Sequence, residues 1–300
     1  MNFILENDQL LIIVSTLGAE VKSVVRKSDN KQLWWTGHEN YWTGSSPILF
    51  PACGGLWNGE YTLDGNTFKL PKHGFVKDKE WTKVNVDIPG VFVFSISDSE
   101  ETHLAFPFHF RLSVVYRLDS NKLICAYRLE NLEEKRVMPY QIGGHPAIAL
   151  PDFKEGVEKV GYIRPLFNGN SVDASCLSVV RAGEQGCWSR ERFGVNCDED
   201  GLIPVAEKTF SNEALIFDHK QITGADILDL QKNRLARVRS YSPVWLFWQP
   251  QNHLSPFVCA EPWYGLCDQQ QHTVDLIERP YTQTVAPKCM AELLLWEIEF

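Results

Sequence analysis

The sequence lacks helical periodicity, a long hydrophobic run and an excess of positive charge. No segment of it has 18 consecutive uncharged apolar residues, which a membrane-spanning helix would need. Its 29 basic and 38 acidic residues give a formal charge of −9, whereas proteins that bind nucleic acid cluster Lys and Arg against the phosphates. We therefore expect no membrane or nucleic-acid partner, and a ligand that is a neutral or cationic small molecule.

The eight cysteines are scattered, and no two of them form a C-x-x-C pair. A chain of 300 residues buries enough apolar surface on folding to need no disulfide or metal to hold it together. This cysteine usage is typical of free thiols in a reducing compartment. The first residues also lack the basic region, apolar core and cleavage site of an export signal. We expect a cytoplasmic protein, either a monomer or a homodimer.

Sequence motifs for cofactors, metals and activated nucleophiles are missing as well. The chain has no H-x-x-x-H spacing, no glycine-rich loop of the phosphate-binding or dinucleotide-binding type, and no G-x-S-x-G turn. We therefore predict that the protein uses no cofactor and no metal. The chemistry left to an enzyme built on this chain is acid–base catalysis by its own side chains.

What the sequence does contain is a succession of short strands joined by turns. Alternating apolar segments recur from the N-terminus to Ile142, and Asp64-Gly65 is a strong signal for the tip of a hairpin. The stretch 151–206 has fewer periodic runs, so we expect insertions or long loops there. Strands then resume, with a short helix expected after Gln283 and a final strand over 291–300. These patterns predict an all-β protein, and its length allows one large β domain over residues 1–300.

Glu261 is the first candidate for a chemical role. Phe257 to Ala260 is typical of a short buried strand, and a residue before proline favours extended geometry, so we predict that Glu261 ends this strand. Trp263 and Tyr264 follow, and aromatic faces beside a carboxylate suit a sugar ring. The alternative is a strand-terminal glutamate with structural aromatics. Two earlier aromatic pairs, Trp34-Trp35 and Tyr41-Trp42, either pack in the core, which is the favoured interpretation, or line a cleft.

Two histidines and one aspartate are further candidates. His73 precedes a glycine, and His145 lies between a glycine and a proline. Glycine lets a ligand approach the backbone and proline stiffens the chain, so both imidazoles could be held at a preset angle. Asp218 follows an apolar strand, where an aspartate either caps a turn or meets a ligand. A structural role stays open for each of the three.

Three segments together resemble, in their order and spacing, the motifs of the aldose 1-epimerases, or galactose mutarotases: Pro71-Lys72-His73-Gly74-Phe75, Gly143-Gly144-His145-Pro146 and Cys259-Ala260-Glu261-Pro262-Trp263. The resemblance covers nearly the whole chain and is closest to the LacX-like branch. It implies a large antiparallel β-sandwich that binds a sugar in an open cleft. It also implies that Glu261 is the catalytic base and His145 the acid, while His73 and Asp218 contact the sugar.

One position departs from the family pattern. Many relatives carry a sugar-binding arginine in a segment like Pro-x-x-Gly-Arg, where this chain has Pro51-Ala52-Cys53-Gly54-Gly55. Gly55 cannot supply that contact. Lys72, Lys77 and Trp57 are the candidates to replace it.

The resemblance predicts a cofactor-independent isomerase that interconverts the α and β anomers of a free aldose. Two alternatives stay open. A hexose-6-phosphate 1-epimerase on the same fold would need a cluster of Arg or Lys for the phosphate. A non-catalytic carbohydrate-binding protein would share the aromatic cleft but would have no need of both Glu261 and His145.

Overall fold

The computed structural model describes residues 1–251 and 253–300, and most of them lie in strands or in the turns that join strands. The strands are, in chain order, β1 (Asn2–Glu6), β2 (Leu10–Ser15), β3 (Val21–Arg26), β4 (Lys31–Gln32), β5 (Ile48–Leu49), β6 (Glu60–Leu63), β7 (Asn66–Lys69), β8 (Thr82–Val84), β9 (Val91–Ser97), β10 (Phe110–Asp119), β11 (Lys122–Asn131), β12 (Met138–Tyr140), β13 (Ile142–Gly144), β14 (Ala147–Ala149), β15 (Lys159–Phe167), β16 (Asn170–Ser171), β17 (Ser178–Ala182), β18 (Trp188–Gly194), β19 (Ile203–Ala206), β20 (Ala214–Phe217), β21 (Gly224–Leu228), β22 (Arg234–Arg239), β23 (Val244–Trp248), β24 (Phe257–Tyr264), β25 (Gln283–Val285) and β26 (Met290–Glu299).

Helical structure is confined to short segments in the described part of the chain. The α-helix α1 spans Glu100–His103, and 3-10 turns lie at Trp57–Gly59, Val76–Asp78, Ala174–Cys176, Glu184–Gly186, Glu207–Phe210 and Leu276–Glu278. Over these same residues, no helix has the length and apolar character needed to cross a membrane.

Two large antiparallel sheets form the body of the fold. The first has ten strands in the order β16-β15-β21-β22-β26-β11-β10-β9-β8, with β19 beside β15. The second has eight, in the order β18-β17-β20-β23-β24-β13-β5, with β14 also beside β24. Smaller sheets are formed by β1 to β4, by β6 with β7, and by β12 with β25. The predicted all-β fold, a large antiparallel sandwich, is confirmed, and so is the hairpin at Asp64-Gly65.

The core lies between the two large sheets, because their strands alternate apolar residues towards each other. In β10, every second side chain from Phe110 onwards is buried, which gives the period of two expected for a strand with one inward face. The last strand, β26, lies between β22 and β11 and contributes Trp296 to this core. The C-terminal strand predicted from the sequence is thus a central strand of the larger sheet.

Two sequence-based predictions about secondary structure are wrong. The stretch 151–206, expected to consist of long loops, contains five strands, β15 to β19. The short helix expected after Gln283 is instead β25, which pairs with β12 through Tyr140 and Gln283. Some of the pairings in both places join segments distant in sequence, such as β15 with β21 and β25 with β12, so a local pattern carries little of the information.

The strand that carries Glu261 is longer than the sequence predicted. β24 runs through Pro262 to Tyr264, so Glu261 lies inside a central strand and not at its end. The neighbouring strand is interrupted here: β13 ends at Gly144 and β14 begins at Ala147. Ala260 donates its backbone N–H to Pro146 across this gap, so the nitrogen of Pro262, two residues on, faces the same side.

The interruption makes proline tolerable in a central strand. Pro262 has no N–H to donate, which would break a continuous ladder. Here its nitrogen faces the point at which the partner strand leaves the sheet, where no ladder bond is required. The same departure of the chain brings His145 out beside Glu261.

A close backbone contact holds the segment that carries His73. Gly74 has a φ of +71°, and a Cβ added there would lie 2.0 Å from the carbonyl oxygen of Phe50. Phe75 donates its N–H to that same oxygen at 3.1 Å. Only glycine fits at position 74, because any side chain meets both an unfavourable φ and a fixed backbone atom.

This contact predicts that Gly74→Ala is much more destabilising than a glycine substitution with the same φ penalty and free space. Gly65, at the hairpin tip, has a φ of +79° with nothing within 4 Å of an added Cβ. Gly65→Ala is expected to lower the free energy of unfolding by about 1–2 kcal/mol. Gly74→Ala should cost at least about 2 kcal/mol more because of the clash. Urea unfolding of both variants measures the difference, and equal losses would contradict the backbone contact.

Candidate active site

A cleft of about 420 Å³ opens on the outer face of the eight-stranded sheet. The floor of this cleft is made by the outward side chains of three adjacent strands, while the alternate residues of each strand point into the sandwich core. The outward side chains are Ala214 and Ile216 of β20, Leu246 and Trp248 of β23, and Glu261 and Trp263 of β24. Loops from other parts of the chain add Trp42, Lys72, His73, His145 and Glu213 to the walls.

His145 and Glu261 are in direct contact on this floor. The Nε2 atom of His145 lies 3.2 Å from Oε1 of Glu261. The two residues are only 6% and 1% exposed. The second polar atom of each side chain, Nδ1 of His145 and Oε2 of Glu261, has no hydrogen-bond partner among the described residues. A buried polar atom without a partner is expensive, so the pair is suited to a ligand that brings hydroxyl groups.

Burial shifts both groups towards their neutral forms. It lowers the pKa of His145 to about 3, and the positive charge of Lys72 acts in the same direction. Burial raises the pKa of Glu261 well above its usual value, against the opposing charge of Lys72. Burial therefore favours the pair as a carboxyl group beside an uncharged imidazole. Such a pair can pass its single proton from one member to the other.

His73 stands at a right angle to the imidazole of His145. Their ring centroids are 5.8 Å apart with an interplanar angle of 87°, and the ring of Trp263 lies 5.6 Å away on another side. The Nδ1 atom of His73 accepts the backbone N–H of Gly54 at 3.1 Å. That bond places the ring proton on Nε2. Burial and the neighbouring His145 hold the pKa of His73 well below its usual value, so this imidazole is a neutral N–H donor.

Tryptophan rings enclose the pair formed by His145 and Glu261. Trp42 lies over His145 with ring centroids 4.8 Å apart, and Trp248 meets the same imidazole edge-on at 5.6 Å. The sequence favoured core packing for the pairs Trp34-Trp35 and Tyr41-Trp42. That prediction is right for Trp34, which is fully buried, whereas Trp42 lines the cleft.

The cleft contains charged side chains that the sequence did not single out. Glu213 accepts a hydrogen bond from the Nζ of Lys72 at 2.9 Å. Lys77 pairs with the adjacent Asp78. Glu20 accepts the backbone N–H groups of Ser45 and Ser46, both at 2.7 Å, and pairs with Lys22. No motif marks the carboxylates Glu213, Asp78 and Glu20, because each reaches the cleft from a turn or strand whose position depends on the folded chain.

The structure explains why position 55 carries no arginine. A Cβ added to Gly55 would lie 2.1 Å from the backbone oxygen of Gln185, so the 3-10 turn Glu184–Gly186 already fills the space where a side chain would start. Lys72 and Lys77 line the cleft, as their candidacy to replace the arginine requires. Trp57, the third candidate, is not among the lining residues.

Asp218 lies outside the cleft that contains His73, His145 and Glu261. Arg192 donates from Nη2 to both carboxylate oxygens of Asp218, each at 2.8 Å. The side chain lines a separate cavity of about 360 Å³, beside Trp188 and Tyr281. Asp218 lies on the same sheet face as the cleft floor, but one step beyond it. The sugar contact predicted for Asp218 therefore does not follow from this geometry, whereas Glu213 does reach the cleft.

Comparison with known proteins gives a consistent result. Residues 1–161 match the family model described as aldose 1-epimerase. The chromosomal and plasmid LacX proteins of Lactococcus lactis subsp. lactis are each 29% identical over 293 residues, which cover 96% of this chain and 95% of theirs.

Two solved structures with the same fold come from lactobacilli. A galactose mutarotase-like protein from Lactobacillus casei has a TM-score of 0.90 at 24% identity, covering 100% of this chain and 99% of that one. A galactose mutarotase related enzyme from Lactobacillus acidophilus has a TM-score of 0.86, also at 24% identity, covering 100% and 97%. These likenesses show the fold.

The burial of Glu261 predicts that its replacement stabilises the protein at neutral pH. The pKa of Glu261 is higher in the folded protein than in the unfolded chain. The folded state therefore holds this proton more tightly, and the free energy of unfolding decreases as the pH rises from the unfolded pKa towards the folded pKa. Glu261→Gln removes the titrating group. We expect the variant to melt close to wild type near pH 4.5 and at a higher temperature at pH 8.

The control is Glu213→Gln, which changes a half-buried cleft carboxylate that already has a lysine partner. It should give no gain in melting temperature at pH 8. A Glu261→Gln variant less stable than wild type at pH 8 would show that the buried carboxylate is stabilised by contacts other than those described.

Proposed function

Because this chain belongs to the aldose 1-epimerase family, we propose that it is a cofactor-independent isomerase that interconverts the α and β anomers of a free aldose. The observation that carries the proposal is the contact between His145 and Glu261 at 3.2 Å on the floor of an open cleft. Ring opening of a sugar acts on two oxygens bonded to the same carbon, C1. The acid and the base must therefore lie side by side, as these two groups do.

Glu261 acts as the base in the proposed reaction. Its carboxylate removes the proton of the C1 hydroxyl, the electron pair forms the C1 carbonyl, and the bond from C1 to the ring oxygen breaks. His145 donates its Nε2 proton to that ring oxygen. Rotation about C1–C2 and closure with the roles reversed give the other anomer.

The single proton of the pair has to lie on His145 when ring opening begins. Hydrogen bonds from sugar hydroxyls to Glu261 favour its carboxylate, since bonding to a charged form lowers the pKa of an acid. The ring oxygen, an acceptor, favours the protonated imidazole in the same way. A bound sugar would thus supply polar partners for Nδ1 of His145 and Oε2 of Glu261, which have none among the described residues.

The remaining cleft residues would hold the sugar. His73 offers its neutral Nε2–H to a sugar oxygen, because Nδ1 is already bonded to Gly54. Trp42 and Trp248 offer apolar faces to the C–H side of the ring. Glu213 and Lys72, which are paired with each other, can accept from and donate to hydroxyl groups at the mouth of the cleft.

The charges of the cleft support a neutral sugar over a sugar phosphate. Its lining includes the four carboxyl-bearing residues Glu20, Asp78, Glu213 and Glu261, against Lys72 and Lys77. Both lysines already pair with carboxylates. A phosphate group would need free cations and would meet a net excess of acidic groups.

Loss of either member of the acid–base pair should abolish most of the catalysis. Glu261→Gln and His145→Asn are each expected to lower kcat/KM by about 10² to 10⁴, the range typical of one general acid or base. The measurement is polarimetry on freshly dissolved α-glucose and α-galactose. Exposed residues of the same types provide the matched controls, Glu278→Gln and His272→Asn, which should keep full activity.

Near-normal rates in Glu261→Gln or His145→Asn would remove that residue from the mechanism. A wild-type protein that leaves every free aldose at its spontaneous rate, but binds one of them by calorimetry, would instead be a carbohydrate-binding protein.

The charge balance of the cleft predicts a preference for unphosphorylated sugars. We expect kcat/KM for glucose to exceed that for glucose 6-phosphate by at least tenfold, which corresponds to about 1.4 kcal/mol of unfavourable interaction. Glu213→Gln frees Lys72 from its partner and should narrow this ratio. A wild-type preference for the phosphate would favour the hexose-6-phosphate 1-epimerase instead.

A further inference from the structure

Asp98, His103 and His109 form a compact cluster that the proposed reaction does not use. The Oδ2 atom of Asp98 lies 2.8 Å from Nε2 of His103 and 2.8 Å from Nδ1 of His109. The two imidazole ring centroids are 4.5 Å apart. None of the three residues lines the cleft, and the strands next to them, β9 and β10, belong to the ten-stranded sheet.

The local fold brings these three residues together. Asp98 follows β9, His103 ends α1, and His109 immediately precedes β10. Ser99 caps α1 by accepting the N–H of Thr102, whose hydroxyl accepts the N–H of Ser99 in return. This capping box fixes the turn so that the helix folds its last residue back towards the start of the segment.

The carboxylate of Asp98 is oriented by the backbone. Its Oδ1 atom accepts the N–H of Phe110 at 3.0 Å, which leaves Oδ2 to face both imidazoles. The backbone N–H of His109 is bonded to Glu133 at 2.8 Å. The carboxylate of Asp98 and the backbone of His109 are thus each fixed by a further hydrogen bond, as the outer contacts of a metal site hold its ligands.

We propose that Asp98, His103 and His109 bind a divalent transition-metal ion, with zinc as the best match. One donor atom from each residue lies within 4.8 Å of the other two. Ligands about 2.0–2.1 Å from zinc in tetrahedral geometry are about 3.3 Å apart, so an ion needs only small side-chain movements from the observed 2.8 Å contacts. Two imidazoles and one carboxylate suit zinc, nickel or copper and not calcium or magnesium, which prefer oxygen.

Access from solvent favours binding. The side chains of His103 and His109 are 30% and 61% exposed, so an ion can enter from solvent and keep a water as its fourth ligand. A bound ion would replace the hydrogen bonds of the two imidazoles to Asp98, and each coordinated ring would carry its proton on the nitrogen that faces away from the ion. The ion would then tie the end of β9 to the start of β10, two strands near the edge of the sheet.

Spacing along the chain gave no sign of this site. The expectation of no metal rested on the absence of H-x-x-x-H and C-x-x-C pairs. Here the ligands are five and six residues apart, and the capped turn of α1 is what makes them neighbours.

The test is calorimetric titration of the metal-free full-length protein with zinc chloride, beside His103→Gln, His109→Gln and the double variant. We expect a zinc ion at this site in wild type, at least about tenfold weaker binding in each single variant, and loss of the site in the double variant. His272→Gln, at an exposed histidine outside the cluster, is the control and should bind as wild type. At a free zinc concentration 100 times the dissociation constant, the melting temperature of wild type should rise by roughly 4 °C.

The test also has to distinguish the proposed zinc site from a second group of possible metal ligands. His145, Cys259 and Glu261 in the cleft also lie close enough to hold an ion. Zinc binding that survives in the double variant at wild-type affinity and stoichiometry, or that disappears in Cys259→Ser, would overturn the proposal. Circular dichroism checks that each variant is folded; if the double variant is not, His109→Gln carries the test, because its ring is largely exposed. Copper EPR of wild type should show coupling to two imidazole nitrogens, and coupling to one or none would also overturn it.

Discussion

The break between β13 and β14 is the feature on which the site depends. A sheet with continuous strands on both sides of β24 would have no room for a side chain from a neighbouring loop beside Glu261. Because the chain leaves the sheet after Gly144 and returns at Ala147, His145 can lie against the carboxylate in the plane of the cleft floor. The glycines before it are part of this arrangement, since a Cβ at Gly144 would lie 2.5 Å from the ring of Trp296. The core residue Trp296 thus packs directly against the backbone at the break between β13 and β14.

This construction places two ionisable groups where burial opposes the charge of both. Glu261 and His145 lie on an apolar sheet face among tryptophans, and each has a polar atom without a partner. Natural folds retain such costs mainly where chemistry requires them. The stability of the rest of the sandwich, with its continuous core between two large sheets, is what allows this local penalty. The proposed acid–base function is therefore tied to a region whose burial of Glu261 and His145 opposes stability.

The sequence predicted the fold class because alternation and turn residues are local signals. Asp64-Gly65 fixes a hairpin by its own backbone preferences, and the final strand was visible in its apolar pattern. The five strands within 151–206 and β25 do not follow from the sequence pattern, because local preference for strand is weak and pairings such as β15 with β21 and β25 with β12 join segments distant in sequence. Pro262 was misread for a related reason. A proline ends a strand unless the neighbour is absent at that point, and only the folded sheet shows the absence.

The site was predictable to the extent that its residues carry local constraints. His73 and His145 were marked by the glycines and the proline beside them, and the structure brings both to Glu261. Glu213 and Glu20 had no such marks, because a carboxylate in a turn looks the same whether it faces a cleft or solvent. Asp218 had the right local context, at the end of an outward-facing strand, yet Arg192 holds it one step beyond the floor. The alternation of residues along one strand predicts the sheet face on which a side chain lies. It does not predict the hydrogen-bond partner of that side chain, which here is Arg192 on another strand.

Lys72 connects the charges at the mouth of the cleft with the pair on its floor. Its ammonium group is bonded to Glu213, and its charge opposes the burial that raises the pKa of Glu261. The same charge makes protonation of His145 harder.

Lys72 therefore favours the state in which Glu261 is a carboxylate and His145 is neutral. In that state Glu261 can accept a proton, but His145 has no extra proton to donate. The partner carboxylate of Glu213 moderates this effect. A sugar whose hydroxyls engage Lys72 and Glu213 would redistribute these charges at the same time as it contacts the acid–base pair. In the proposed reaction, binding at the mouth and proton transfer on the floor would then be coupled through electrostatics.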